Sequence, residues 1–258
     1  MSVWDDPVCT HQDSLPAEVT PSGEGCKECL EQGMTASTAQ DDVTVVSLFV
    51  NPAQFGPSED LARYPRDESG DATAAEATGV GILFVPSAQE IYPAGFDTWV
   101  DPGELATVLE GAVRPGHFRG VATVCARLFG LAQPTRAYFG RKDAQQVAVV
   151  KQVVRDLAMP LEIVACPTVR DPDGLALSSR NTYLSAGERA SALALPRALQ
   201  AGLAAHRGGG DPVATAEEVL TTEPALAVDY VAVADLDGPT MSASGRPLGD
   251  QAVRQRRL

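Results

Sequence analysis

Lys142 stands where a helical pattern begins, just after an apolar run, Ala137 to Phe139, that Gly140 closes. A strand that ends in glycine and feeds a helix gathers backbone N–H donors and the positive helix end at one point. α/β sheets bind phosphate there. A cation in the first helical turn opposes the macrodipole unless an anion lies beside it. Taken alone, the stretch also fits a surface lysine beside Asp143. A second candidate is Leu177-Ser178-Ser179-Arg180, which follows the turn Asp171-Pro172-Asp173-Gly174. Hydroxyls and a guanidinium on a loop can donate to the charge that develops on a departing pyrophosphate. A helix N-cap is the ordinary use of such serines, but Ser185 already fills that place before Ala186. A third candidate is Asn51-Pro52-Ala53-Gln54, a loop at a strand end whose amides can hydrogen-bond a small ligand. Turn chemistry accounts for Asn51 and Pro52 but not for Gln54.

The elements that must position these groups alternate. Val43 to Val50 is a nearly continuous β-branched run and reads as a central parallel strand buried on both faces. A helix follows over Asp71 to Thr78, then a strand over Gly81 to Val85, and an amphipathic helix over Phe118 to Leu131. After the Ala137 strand, a helix is predicted from Lys142 to about Met159, and another strand over Leu161 to Ala165. This order predicts an α/β fold, a doubly wound parallel sheet over residues 43–168 with helices on both faces. Residues 169–258 read as a smaller C-terminal α+β domain. Its elements are one long helix from Ala186 to His206, a helix over Asp211 to Thr222, a strand over Ala227 to Ala234 and an atypical tail.

Residues 1–42 are polar and aperiodic, an atypical leader. Within them Cys9, His11, Cys26 and Cys29 offer four ligands of the kind tetrahedral zinc accepts. The composition fits a disordered segment better. The full chain of 258 residues carries 34 acidic against 20 basic residues, a net charge of −14. That balance argues against nucleic acid or an anionic membrane as partner. No run reaches transmembrane length and no secretory signal opens the chain, so a cytoplasmic protein with free thiols is expected.

Six motifs occur in order: Asn51-Pro52-Ala53-Gln54-Phe55, Asp60-Leu61-x-x-Tyr64-Pro65-Arg66, Tyr92-Pro93, Glu110-Gly111-x-x-Arg114-Pro115-x-His117-Phe118-x-Gly120-Val121, Phe139-Gly140-x-Lys142-Asp143-x-Gln145-Gln146 and Leu177-Ser178-Ser179-Arg180-Asn181-x-Tyr183-Leu184. In these the chain resembles the pantothenate synthetase (pantoate–β-alanine ligase) family, from about Val43 to Asp235. The resemblance implies a nucleotidyltransferase related to class I aminoacyl-tRNA synthetases. It implies that pantoate attacks ATP to give pantoyl adenylate, and that β-alanine then displaces AMP. It places Gln54 and Gln146 on pantoate and β-alanine. It places Gly140, Arg141, Lys142, Asp143, Val169, Leu177, Ser178, Ser179 and Arg180 on ATP, with Lys142, Ser178, Ser179 and Arg180 catalytic. Magnesium would accompany ATP, and a homodimer is implied. Leu177 stands where the family has Met.

The ends depart from the family. Its first strand leads into Met-Gly-Ala-Leu-His-x-Gly-His, whose two histidines meet the ATP phosphates. Residues 1–42 hold only His11. The first strand and nucleotide loop are therefore missing or replaced, and impaired activity is expected. Cys9 to Cys29 also weakly resembles the opening of a ubiquitin-protease-type zinc finger. A non-catalytic zinc-binding or synthetase-like interaction protein is the alternative.

Overall fold

A parallel ladder organises the first of two units. The structure, a computed structural model, describes residues 18–22, 27–57 and 59–234. In chain order the elements are β1 (Glu18–Ser22), α1 (Lys27–Thr38), β2 (Thr44–Leu48), α2 (Glu68–Ala77), β3 (Ile82–Phe84), α3 (Ala88–Ile91), α4 (Glu110–Val113), α5 (His117–Ala132), β4 (Arg136–Gly140), α6 (Ala144–Asp156), β5 (Glu162–Cys166), α7 (Ala186–Ala192), α8 (Ala194–Arg207) and α9 (Pro212–Thr221). Short 3₁₀ turns lie at Pro52–Gln54, Gly103–Ala106, Arg141–Asp143 and Ser179–Tyr183.

The five strands run in the order β3-β2-β1-β4-β5, and every pairing is parallel. The predicted strands at Val43, Gly81, Ala137 and Leu161 are all among them. The first strand is supplied from the leader: Glu18 pairs with Thr44 on one side and Arg136 on the other. The strand order reverses between β1 and β4, so ligands are expected in the crevice beyond their carboxyl ends. Cys9, His11 and Cys26 lie outside the described residues, as does the side chain of Cys29.

Alternation along β2 distributes its side chains to two layers. Val46 packs with Met34 of α1 and Ala74 and Ala75 of α2. Val45 faces the other layer, where Val121, Val124 and Leu128 of α5 meet Val147, Val150 and Val154 of α6 and Phe139 of β4. Burying one such Val, Leu or Phe contributes on the order of 1.5–3 kcal/mol. This core is what holds the loops beyond β2 and β4 in register.

The second unit comprises residues 170–176 and the chain from 180 onward. Ala194 and Ala198 of α8 pack against Ala216 and Leu220 of α9. A Cβ at Gly202 would stand 2.8 Å from the Pro212 carbonyl oxygen, so glycine lets these helices close. Arg189 of α7 reaches Asp171 at 2.6 Å and Asp173 at 2.8 Å, tying down the turn over residues 171–175.

Three expectations need correction. The single helix from Ala186 to His206 is two, divided at Leu193. Pro196 has no N–H for the Ala192 carbonyl, and its ring crowds that turn. The segment 227–233 forms no regular strand. Its apolar residues Val228 and Val231 instead lie against the α8–α9 cluster. The helix predicted from Lys142 begins with a 3₁₀ turn, becomes α-helical at Ala144 and ends at Asp156. Among the described residues, no helix is long and apolar enough to cross a membrane.

Candidate functional site

Because the strands are parallel, the loops that follow β2, β4 and β5 leave the same edge of the sheet. They carry Asn51–Gln54, Gly140–Asp143 and Val169 respectively. Gly140 is in register with Cys166, so the β4 and β5 loops start side by side.

At the β2 loop, Asn51 is 1% exposed and Gln54 3% exposed. The Asn51 Oδ1 accepts from Ala53 N–H at 3.2 Å, which is the turn role foreseen for it. The same side chain also works inward. Its Nδ2 donates to the Gly120 carbonyl at 3.2 Å and to Gln54 Oε1 at 3.0 Å. Tyr92 OH donates to Asn51 Oδ1 at 2.8 Å. Gln54 and Gln146, the latter from the first turn of α6, line one pocket. Its wall is apolar: Phe49, Val121, Val124, Cys125, Leu128 and Phe139. Two amides over such a wall suit a small ligand with polar groups at one end and a branched hydrocarbon body.

Helix α5 comes close to this loop. A Cβ at Gly120 would overlap the Ala53 carbonyl and lie 2.7 Å from Gln54 N. His117, buried at the start of α5, bonds the Gln54 carbonyl through Nδ1 at 2.8 Å. Its Nε2 lies 3.4 Å from an Arg114 nitrogen. Since Arg114 can only donate, the two contacts are satisfied together by the neutral Nδ1–H tautomer. Arg114 also grips Glu59 by two hydrogen bonds, 3.0 and 2.7 Å, and Glu110 at 3.1 Å. Gln145 holds the chain just before this arginine. It donates to Leu105 O and Val108 O and accepts from Glu110 N at 3.0 Å. Those bonds flank Leu109, whose φ of 50 is costly for a residue with a Cβ.

At the β4 loop, Lys142 is half-buried in the turn ahead of α6. It makes no hydrogen bond or ion pair with another described residue. The α6 N-terminus carries no side-chain cap, so its N–H groups remain to be satisfied from outside the helix. Leu177 N–H donates to the Val169 carbonyl at 3.0 Å, joining two residues expected to act on one ligand. Ser179 Oγ donates to Tyr64 OH at 3.1 Å, within the first unit. Ser178 is half-buried in that unit, whereas Arg180 belongs to the second.

Sequence reasoning did not assign Asn51 or Cys125 to the pocket that they line. A signal existed for Cys125: with Val121, Val124 and Leu128 it follows the i, i+3, i+4, i+7 spacing of one helix face. Burial pushes its thiol up to about 12. It is therefore a protonated, apolar part of the wall and a poor nucleophile.

Comparison with known proteins bears on the family and the fold. Residues 31–253 match the family model described as pantoate-beta-alanine ligase. A pantothenate synthetase from Chloroflexus aggregans is 54% identical over 213 residues, 80% of this chain and 77% of that one. One from Moorella thermoacetica is 50% identical, covering 84% and 79% of the two chains. The crystal structure of the Thermus thermophilus pantothenate synthetase superposes with a TM-score of 0.80 at 47% identity, over 85% of this chain and 81% of that one. A Francisella tularensis pantoate-beta-alanine ligase, complexed with beta-gamma ATP and β-alanine, gives 0.64 at 36% identity, over 74% and 72%. By sequence and by fold, the chain belongs to the pantoate-β-alanine ligase family.

Proposed function

We propose that the protein joins pantoate to β-alanine, with ATP as the activating substrate. The observation that carries this reading is the convergence of Gln54 and Gln146 on one apolar-walled pocket at the carboxyl edge of the sheet. Pantoate has a carboxylate, two hydroxyls and a branched hydrocarbon centre, and the pocket offers amides over valines and phenylalanines.

In this mechanism a pantoate carboxylate oxygen attacks the α-phosphorus of ATP, and the bond to pyrophosphate breaks. The amine of β-alanine then attacks the acyl carbon of pantoyl adenylate. The bond to AMP breaks, and the amine proton passes to solvent. Gly140, Arg141, Lys142, Asp143, Val169 and Leu177 would hold ATP. Lys142, Ser178, Ser179 and Arg180 would neutralise charge on the departing pyrophosphate. Mg²⁺ would enter as part of the nucleotide substrate. Phosphate oxygens of the nucleotide would supply its ligands. The cytoplasm is the proposed compartment and a homodimer the proposed assembly, both following from the family.

Residues 1–42 supply one histidine, His11, where the family pattern has two. One oxyanion-stabilising group is commonly worth about 3 kcal/mol in a transition state. With the family's His-x-Gly-His pattern absent, two such groups are lost, and turnover several decades below ordinary enzyme rates is expected. The test is steady-state AMP release. The reading stands if release requires both pantoate and β-alanine. Nucleotide binding without any such release would select the non-catalytic alternative.

A further inference from the structure

We propose that Gln145 is a positioning residue for the acid substrate: its amide holds the strained turn at Leu109, and through that turn the stretch Glu110 to His117 that seats the Gln54 loop. This rests on the pantoate reading of the pocket. Gln145 is buried in the first turn of α6, beside Gln146. It bonds three backbone groups whose roles admit no choice. Its Nε2 donates to Leu105 O at 2.9 Å and to Val108 O at 2.8 Å, which uses both amide protons. Its Oε1 accepts from Glu110 N–H at 3.0 Å. Turning the amide over would lose all three bonds at once.

The turn needs such a hold. Gly111 N–H closes it on Val108 O at 2.9 Å, which puts Leu109 at its second position with φ 50 and ψ −120. Glycine takes that backbone freely, whereas a residue with a Cβ is strained there. Strain of this kind persists only where the surroundings outweigh it. Two of the Gln145 bonds fall on Val108 and Glu110, the residues on either side of Leu109, so they oppose its relaxation directly. Gln152, two turns further along α6, donates to Pro102 O at 3.0 Å and ties down the start of the same segment. Beyond the turn the chain leads to the pocket. Glu110 Oε1 accepts from Arg114 at 3.1 Å, and Arg114 holds Glu59 at 2.7 Å. His117 bonds the Gln54 carbonyl at 2.8 Å. One side chain of α6 therefore supports the approach to Gln54, while its neighbour Gln146 lines the pocket itself.

The experiment is calorimetry with pantoate and with ATP on the full chain, using wild type, Gln145→Ala, Leu109→Gly and the double variant, well below each Tm. Gln145→Ala is expected to weaken pantoate binding about tenfold. ATP affinity, set at the turn ahead of α6, should stay within about twofold of wild type. Leu109→Gly removes the strain, so in the Gln145→Ala background it should restore most of the pantoate affinity. A purely structural glutamine would lower Tm and leave the affinity of the folded protein unchanged. That result, or an undiminished loss in the double variant, overturns the proposal. Should Gln145→Ala not fold, wild type decides: pantoate should slow hydrogen exchange at Glu110 N–H, and an unchanged rate overturns the link. If wild type binds no pantoate, the proposed function falls instead. The ligand-free backbone amide spectra of Gln145→Ala, or of the double variant should that alone fold, then decide. Shifts should reach His117 and Gln54, and shifts confined to residues 105–110 overturn the link.

Discussion

Gly120 and Gln54 are 66 positions apart in sequence, yet a Cβ on the first would stand 2.7 Å from the backbone nitrogen of the second. Helix α5 can approach the β2 loop only because residue 120 has no side chain. That approach also brings the Gly120 carbonyl within reach of Asn51 Nδ2 at 3.2 Å. Gly120→Ala should push the loop away, lower stability by about 1–3 kcal/mol as overpacking does, and weaken pantoate binding. Thermal melts and pantoate calorimetry check this. A variant equal to wild type in both would show that the loop yields freely.

Much of this architecture was legible because buried parallel strands are written in β-branched and apolar residues, as in Val45, Val46 and Ala137 to Phe139. β1 was not legible. Glu18-Val19-Thr20-Pro21-Ser22 has one aliphatic residue, and a proline that cannot donate to a ladder. Its place follows from partners on both sides, which no local pattern reveals. The segment 227–233 fails in the opposite sense. It was read as a strand, but it forms no regular strand among the described residues, and its Val228 and Val231 pack on helices. At the pocket, Gln54 was legible because turn chemistry left it unexplained. Asn51 was not, because turn chemistry explained it too well: the cap to Ala53 N is real, but it is half of what that side chain does.

Arg114 and Glu59 form a largely buried pair, their side chains 12% and 7% exposed. Removing Arg114 takes from Glu59 two charge-assisted hydrogen bonds in a largely buried place, at a cost of about 3–5 kcal/mol. Arg114→Ala should therefore destabilise the protein by that order in denaturant unfolding. Arg114→Ala with Glu59→Ala should recover part of the loss. If the double variant is less stable than Arg114→Ala by the full cost of a second independent substitution, the pair is not coupled.

Cys125 predicts an alkaline limb. Burial raises its thiol from 9.0 to about 12. The unfolded chain releases that proton near the lower value and the folded chain near the higher. Between them the unfolded state holds fewer protons, so stability falls as pH rises. The contribution is complete below the lower value and is lost progressively above it. Cys125→Ala should be less stable at neutral pH, yet show a flatter fall in Tm from about pH 8 to about pH 11. Parallel curves for the two proteins would contradict the burial argument.

Lys142 is the residue whose place is hardest to justify without a ligand. It sits half-buried in the turn ahead of α6, at the end of the helix whose dipole is positive, and no other described residue pairs with it. Both facts cost free energy in the unliganded protein. A polyphosphate would reverse both, giving the ammonium a partner and the uncapped N–H groups of α6 an acceptor. A charge-assisted hydrogen bond of this kind contributes about 1.5–3 kcal/mol. Lys142→Ala should then weaken ATP binding about 10- to 100-fold, placing it below detection if wild-type affinity is already modest. It should leave Tm equal or slightly higher, since an unfavourable charge has gone. Arg155→Ala is the control: it lies at the other end of the same helix, 59% exposed and paired with Asp156, and should bind ATP as wild type does. Calorimetry with ATP distinguishes the outcomes. Equal affinity in Lys142→Ala and wild type would remove the phosphate role from this turn.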